Sequence, residues 1–443
     1  MREALRRALR RRPPLRRLLR DLARAIDGAG GAAYLVGGYL RDIAEGKTSG
    51  DVDLLVTGLT YRRTGELLRS LGPGTPGIRK VVAAGRHFPV HRIAVDWGKE
   101  YIDISNARTG ARPPGRRTGS APGSDDRAAV EDASRRDFTI NALLFRLDPE
   151  RGVESGRLID PFGGIEDLRR KRIRCVGDPA ERFREDPLRI LRAIRRKNER
   201  PGTLLHAGTA SAIRRLGSFL LPAVSPDRIS VEMVRSLSAD PEGTVDDLRR
   251  LGLLRVLLPE AGTQDAKIAE RIAGRYRFLR RSVGMPLPLP ILLANLLADL
   301  PPDAGVAAAR RLRLPDLRRI ASTLRGLYHL THPEALLFPL AETESILLGA
   351  EDPGGWIALY RAVRRTGNRP ARDMNRFIKK CRATPFWING IWLDSNMFPK
   401  GPGRREILLR IREESLSGKI RGRVDAERLA ESMRYAPGGG KGI

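Results

Sequence analysis

Cysteine is almost missing from this chain: Cys175 and Cys381 are the only two in 443 residues, they lie far apart, and neither has a CxxC motif or a Cys/His cluster around it. A disulfide framework and a structural zinc site are therefore excluded as organising features, and a reducing, cytoplasmic setting fits. No apolar stretch approaches the roughly 20 residues that a membrane-spanning helix needs. With 41% hydrophobic residues the chain reads as a soluble globular protein without a membrane partner. Acidic residues are also scarce, 52 Asp+Glu against 82 Lys+Arg, for a formal net charge of +30. Solubility does not need so much charge of one sign, and the excess points to a polyanionic partner, RNA or DNA.

The length predicts two to four domains. The first 24 residues hold ten arginines, two acids and no serine. Leu5, Leu9, Leu15, Leu18, Leu19 and Leu22 recur there at near-helical spacing around Pro13-Pro14, which predicts a basic helical extension over 1–30 that packs beside, or reaches toward, RNA. From about 33 to 175 short apolar strands alternate with helices: AAYLV, DVDLLV, IRKVVAA, FPVHRIAV, EYIDIS, TINALLF and KRIRCV. This predicts an α+β head over 31–176 with a mixed sheet. The Pro, Gly, Arg and Ser-rich stretch from Asn106 to Ala133 reads as a long loop. After Asp178 the strand pattern stops, and amphipathic runs separated by Pro/Gly breaks predict an all-helical remainder, divided into 177–262 and 263–443.

Three blocks carry chemistry. In the first, a strand is followed by Gly37-Gly38, a short helix with Arg41-Asp42, then Asp51-Val52-Asp53. Glycines let backbone N–H groups approach a phosphate, a helix start adds positive potential, and carboxylates two apart on a strand share one face. Such carboxylates can hold divalent cations, and a two-metal site suits in-line displacement at phosphorus, although a DxD on its own is also what an exposed strand face or turn contains. The second block is Arg135-Arg136-Asp137-Phe138-Thr139-Ile140-Asn141-Ala142-Leu143. Its arginines can neutralise a triphosphate through forked hydrogen bonds, with Asp137 and Asn141 orienting them or reaching sugar hydroxyls. In the third, Glu185, Asp186, Arg189 and Arg192 fall three or four residues apart on an expected helix. Asp186 and Arg189 could read a base edge, the carboxylate accepting from the amino group of cytosine or adenine and the guanidinium donating to the neighbouring acceptor; the same spacing also makes plain intrahelical ion pairs. Asp103, in the strand Tyr101-Ile102-Asp103-Ile104, is a candidate third carboxylate for the metal site.

Taken together the blocks resemble the poly(A) polymerase and tRNA nucleotidyltransferase family, the class II nucleotidyltransferases that include the bacterial-type CCA-adding enzymes. Residues 37–53 follow its GGxxRDxxxGxxxxDxD pattern, Arg135 to Leu143 match its RRDFTINAL motif at every position, and Glu185 to Ala193 match EDxLRxxRA. The resemblance covers about 32 to 260 and, more weakly, 395 to 435. It departs from the family after RAIR, where Arg196-Lys197-Asn198 replace an aromatic and small residues, and between Asp103 and Arg135. No His-Asp pair involves His206, His329 or His332, so the phosphohydrolase domain of some relatives is not expected.

The resemblance implies a polymerase-beta-like head on a helical, RNA-binding body, and template-independent addition of CMP and AMP to a tRNA 3′ end from CTP and ATP. Mg2+ on Asp51, Asp53 and Asp103 would assist attack of the 3′-hydroxyl on the α-phosphate, with pyrophosphate leaving. Gly37, Gly38, Arg41, Asp42, Arg135, Arg136, Asp137, Asn141, Glu185, Asp186, Arg189 and Arg192 would bind the nucleotide, with Asp186 and Arg189 selecting its base. Two alternatives stay open: a poly(A) polymerase, which shares these motifs and which GRHFPVH at 85–91 also suits, and an inactive RNA-binding protein on the same scaffold. Trp356, Trp387 and Trp392 could stack bases or fill a core.

Overall fold

The computed structural model describes residues 1–47, 50–72, 75–84, 89–98, 100–107, 124–331, 358–363, 383–398 and 402–434. The chain divides into two compact units, Met1–Val224 and Ser225–Ile443.

The first unit is built on a seven-stranded mixed sheet. Its strands are β1 (Ala32–Val36), β2 (Val52–Thr57), β3 (Ile78–Ala84), β4 (Val90–Val95), β5 (Tyr101–Asn106), β6 (Leu144–Arg146) and β7 (Arg157–Ile159), in the spatial order β3-β4-β5-β2-β1-β6-β7. Only β2 and β5 run parallel; the other neighbours are antiparallel. Strand alternation sorts the side chains into two cores. Leu35, Leu54, Val56, Ile93, Ile102 and Ile104 point to one face, and Tyr34, Val36, Leu55 and Leu144 to the other. Asp53 lies one residue from Leu54 and two from Leu55, so it shares the second face, and its register partner Asp103 follows it there.

Helices α1 (Arg2–Arg10), α2 (Pro13–Gly28), α3 (Gly38–Ala44) and α4 (Tyr61–Leu71) cover the first face. All six leucines of the basic N-terminal segment are buried within this core, each at 1% exposure or less. Full burial of a leucine is worth about 1.5–3 kcal/mol, so α1 and α2 are structural parts of the head, although the sequence suggested an extension. Their arginines face outward, where Arg12 pairs with Glu100 and Arg16 with Glu154.

The second face is covered by α5 (Ser124–Ser134), whose Ala129 and Ala133 are fully buried against the sheet. This corrects the expected loop from Asn106 to Ala133: small residues at helical spacing form a packed helix at its end, while 108–123 lie outside the described residues. TINALLF is likewise only partly a strand. Thr139–Asn141 form a 3-10 turn because their side chains are drawn to Asp167 and Asp137, and pairing begins at Leu144. KRIRCV contributes only β8 (Arg172–Ile173), which pairs with a short strand beyond the expected limit, β9 (Leu204–Leu205). Cys175 is a buried free thiol, pushed up to about 12 by burial.

The head closes with α6 (Gly164–Arg169), α7 (Pro179–Glu185), α8 (Arg189–Asn198) and α9 (Ala207–Leu220). The third block is therefore not one helix. Asp186 is extended, with φ −148° and ψ 98°, because the residue before Pro187 is disfavoured in the helical region.

In the second unit the described elements are helical: α10 (Pro226–Ala239), α11 (Pro241–Arg250), α12 (Leu254–Leu257), α13 (Asp265–Val283), α14 (Leu289–Leu297), α15 (Pro302–Arg311), α16 (Leu317–Thr331), α17 (Gly390–Ser395), α18 (Pro402–Ser417) and α19 (Arg423–Met433). Ile291 to Leu297 are all buried, and the fully buried Arg275 is compensated by Asp299 at 2.6 Å and Asn295 at 2.6 Å. Trp387 and Trp392 pack against a C-terminal cluster of Ile388, Leu393, Phe398, Ile407 and Ile411, which gives them a core role; Trp356 lies outside the described residues. Among the described residues no single helix is long and apolar enough to cross a membrane.

Candidate active site

The first block turns sharply after β1. Gly37 has φ +69°, and a Cβ on it would lie 3.1 Å from Arg136 Nη1 and 3.3 Å from Asp53 Oδ2. Glycine is thus needed twice, for a left-handed backbone and for the close approach of two functional side chains. The turn, the β2 carboxylate and the second block's arginine meet at this point, although almost a hundred residues separate them in the chain.

Asp51 precedes β2 and is exposed; Asp53, within β2, is half-buried. Burial pushes the Asp53 carboxyl above its ordinary value; the Arg136 guanidinium pulls it down, and Asp103 and Asp51 push it up again. A carboxylate desolvated beside two like charges is relieved by a cation, so this donor set fits a divalent metal held by Asp51 and Asp53. Asp103 is placed differently. It neighbours Asp53 in register, yet both its oxygens are taken by Arg92, Nε to Oδ1 at 2.7 Å and Nη2 to Oδ2 at 2.7 Å. Among the described residues no three His, Cys, Asp or Glu side chains gather as a cation cluster.

A continuous polar chain links the blocks. Arg41, only 5% exposed, donates from Nε to Asp42 Oδ1 at 2.9 Å and from Nη1 to Asn141 Oδ1 at 2.7 Å. Asn141 donates to Asp137 Oδ1 at 2.9 Å, and Asp137 Oδ2 lies 2.6 Å from Arg192 Nη2. Burial disfavours a charged Asp137, yet Arg192 foremost, with Asn141 and Arg196, holds its carboxyl below the ordinary value. Burial and the nearby Arg196 and Arg200 together lower the Arg41 guanidinium. These contacts turn Arg41 and Asp137 inward, while Arg136 is partly exposed beside Gly37 and Asp53.

The third block forms a second cluster in the head. Arg189 Nη1 donates to Glu185 Oε2 at 2.7 Å and to the Arg182 carbonyl at 3.1 Å, and its Nη2 donates to the Arg135 carbonyl at 2.8 Å. Three fixed points hold the guanidinium: one carboxylate and two carbonyls. Asp186 Oδ1 accepts from the Leu188 amide at 3.2 Å. Arg135 pairs with Glu131 on the surface, at 2.9 Å.

Sequence reasoning missed three contributors. Asp132, 3.4 Å from Arg136 and four residues before it, was visible as an i,i+4 pair. Asp167 is completely buried and receives Thr139, Arg172 and Arg174, so it fixes the turn that carries Asn141. Arg92 would have required the β4–β5 register, which the intervening loop leaves open.

Comparison with known proteins follows the same outline. Residues 33–174 match the family model described as the poly A polymerase head domain, and 205–263 the one described as a probable RNA and SrmB- binding site of polymerase A. The CCA-adding enzyme of Geobacillus stearothermophilus is 32% identical over 425 residues, covering 92% of this chain and 94% of that one. Among solved structures, a CCA-adding enzyme with CTP superimposes with a TM-score of 0.68 at 22% identity, over 95% of both chains. The Thermotoga maritima CCA-adding enzyme in complex with tRNA gives 0.62 at 21% identity, over 94% of both, and these two likenesses bear on the fold.

Proposed function

This chain belongs to the poly(A) polymerase and CCA-adding nucleotidyltransferase family, and from that premise we propose that it extends the 3′ ends of tRNA with CMP and AMP drawn from CTP and ATP. It is a nucleotidyltransferase. The observation that carries the reading is the meeting of Gly37, Asp53 and Arg136, braced by the Arg41–Asn141–Asp137–Arg192 chain. A relative matched over nearly its whole length adds CCA by its name, which favours tRNA over poly(A) tails.

Asp51 and Asp53 would hold Mg2+, which supplies the Lewis acidity that lowers the pKa of a terminal 3′-hydroxyl and neutralises the triphosphate. The hydroxyl oxygen bonds to the α-phosphorus as the bond to the β-phosphate oxygen breaks, its proton passes to solvent and pyrophosphate leaves. Arg136, with the Gly37-Gly38 backbone, receives the phosphates; Arg41, Asp42, Asp137, Asn141 and Arg192 keep that surface in place. Arg189, locked by Glu185 and the Arg135 carbonyl, presents its remaining donors to the acceptors of a cytosine or adenine, and Asp186 accepts from the amino group. The net charge of +30 suits the phosphate backbone of an RNA substrate, in a cytoplasmic setting compatible with the buried free Cys175.

The test uses a tRNA transcript that lacks its CCA end, with CTP, ATP and Mg2+, and measures pyrophosphate released per RNA. The wild-type chain should release it and Asp53→Ala should not, while tRNA binding stays within a few fold. Release by the Asp53→Ala variant would mean that the chemistry is elsewhere, and no release by the wild type would refute the enzyme.

A further inference from the structure

Arg92 is not part of any of the three blocks, yet it holds Asp103, the register partner of Asp53. It stands opposite Asp103 in the antiparallel β4–β5 pair, and its guanidinium meets both Asp103 oxygens at 2.7 Å. This forked geometry fixes the carboxylate plane as well as its charge, which a lysine could not do. The Arg92 guanidinium also lies over the Tyr101 ring, 5.2 Å from its centroid, a second contact that holds it in place. Asp103 and Asp53 are neighbours in register, but Asp51, Asp53 and Asp103 do not gather into a three-carboxylate cation cluster.

We propose that Arg92 is a positioning residue that keeps Asp103 out of the cation's ligand set, leaving a two-carboxylate site on Asp51 and Asp53 flanked by a neutral Arg92–Asp103 pair. The inference rests on the reading of Asp51 and Asp53 as cation ligands. Its physical consequence concerns affinity. Three carboxylates facing one cation would bind it tightly and repel one another when it is absent; the arginine removes one negative charge from the sum. Taking Arg92 away restores that charge and frees Asp103 to turn toward the metal.

The probe is Mn2+ binding to the full chain without nucleotide, read by electron paramagnetic resonance, with a thermal melt of each variant to verify folding. Arg92→Gln should bind Mn2+ more tightly, on the order of tenfold for one uncompensated charge a few ångströms from the ion. The Arg92→Gln/Asp103→Asn double variant, whose net charge equals that of the wild type, should return to wild-type affinity. Two results would overturn the proposal: unchanged affinity in Arg92→Gln, or a double variant that binds tenfold or more weakly than wild type, which would make Asp103 a ligand in the native protein. Asp53→Asn separates the two levels of the argument. Loss of Mn2+ binding upholds the metal reading beneath the proposal, whereas retention removes that reading and the proposal with it.

Discussion

Replacing Asp137 by Asn probes the polar chain that joins the motifs. Asp137 is 6% exposed; its Oδ1 accepts from Asn141 Nδ2 at 2.9 Å and from the Phe138 amide at 2.8 Å, and its Oδ2 forms an ion pair with Arg192 Nη2 at 2.6 Å. An asparagine oxygen can still accept from Asn141 and Phe138, so the main loss is the charge-assisted contact with Arg192. Such a contact contributes about 1.5–3 kcal/mol, and because Arg192 is about one-third exposed water replaces part of it, which puts the loss near 2 kcal/mol. That corresponds to roughly thirtyfold in a local opening equilibrium. Asp137→Ala also leaves Asn141 and Phe138 without an acceptor and should cost about 3–5 kcal/mol.

Native-state hydrogen exchange reads this locally, at the Thr139 and Val176 amides, whose bonds to the Arg174 and Asp137 carbonyls flank the Phe138–Cys175 bridge next to Asp137. The pH dependence has a definite sign. The folded carboxyl lies below its ordinary value, so its contribution is complete above about pH 4 and is lost as pH falls through the lowered value. Wild type and the Asp137→Asn variant should therefore differ most near neutrality and converge in acid. In turnover, the variant should raise KM for the nucleoside triphosphate more than it lowers kcat, since Asn141 and Arg41 lose orientation. Unchanged exchange together with an unchanged KM, or a difference that widens in acid, would refute the bracing role.

Two further outcomes follow from the same geometry. Gly37→Ala must hold φ +69° with a methyl 3.1 Å from Arg136 Nη1 and should destabilise the head by about 1–3 kcal/mol and abolish addition; full activity would mean that the turn does not approach the phosphates. Arg189→Gln and Asp186→Ala should relax the choice between CTP, ATP, UTP and GTP more than they weaken triphosphate binding, and Glu185→Gln should do so more mildly by freeing the guanidinium; competition assays with nucleotide mixtures read this, and unchanged preference would refute the base-reading role.

Much of the head was legible because its strands follow period-two burial and its chemistry sits in local patterns. DVDLL announces both the strand β2 and the face that Asp53 occupies, and AAYLV ends where the Gly37 turn begins. Long-range satisfaction of polar groups was not legible. Thr139 and Asn141 resemble strand residues until Asp167 and Asp137 are known to draw them into a turn. The N-terminal leucines announced a helix but not the sheet they pack on, and basic composition suggested an RNA arm where burial makes a core. The break at Asp186 was readable from Pro187, but the helical spacing of Glu185, Arg189 and Arg192 concealed it. Arg92 stands eleven residues from Asp103, and only the hairpin register brings the two together.

The central claim is that these three blocks form one site that adds chosen nucleotides to an RNA 3′ end. Sequencing the 3′ ends after incubation with CTP, ATP and Mg2+, on a tRNA lacking CCA and on an unstructured RNA side by side, tests it most directly. The account predicts the addition of C, C and A to the tRNA followed by a stop, with little extension of the unstructured RNA. A long tract of A on either RNA, or unextended ends on both, would contradict it.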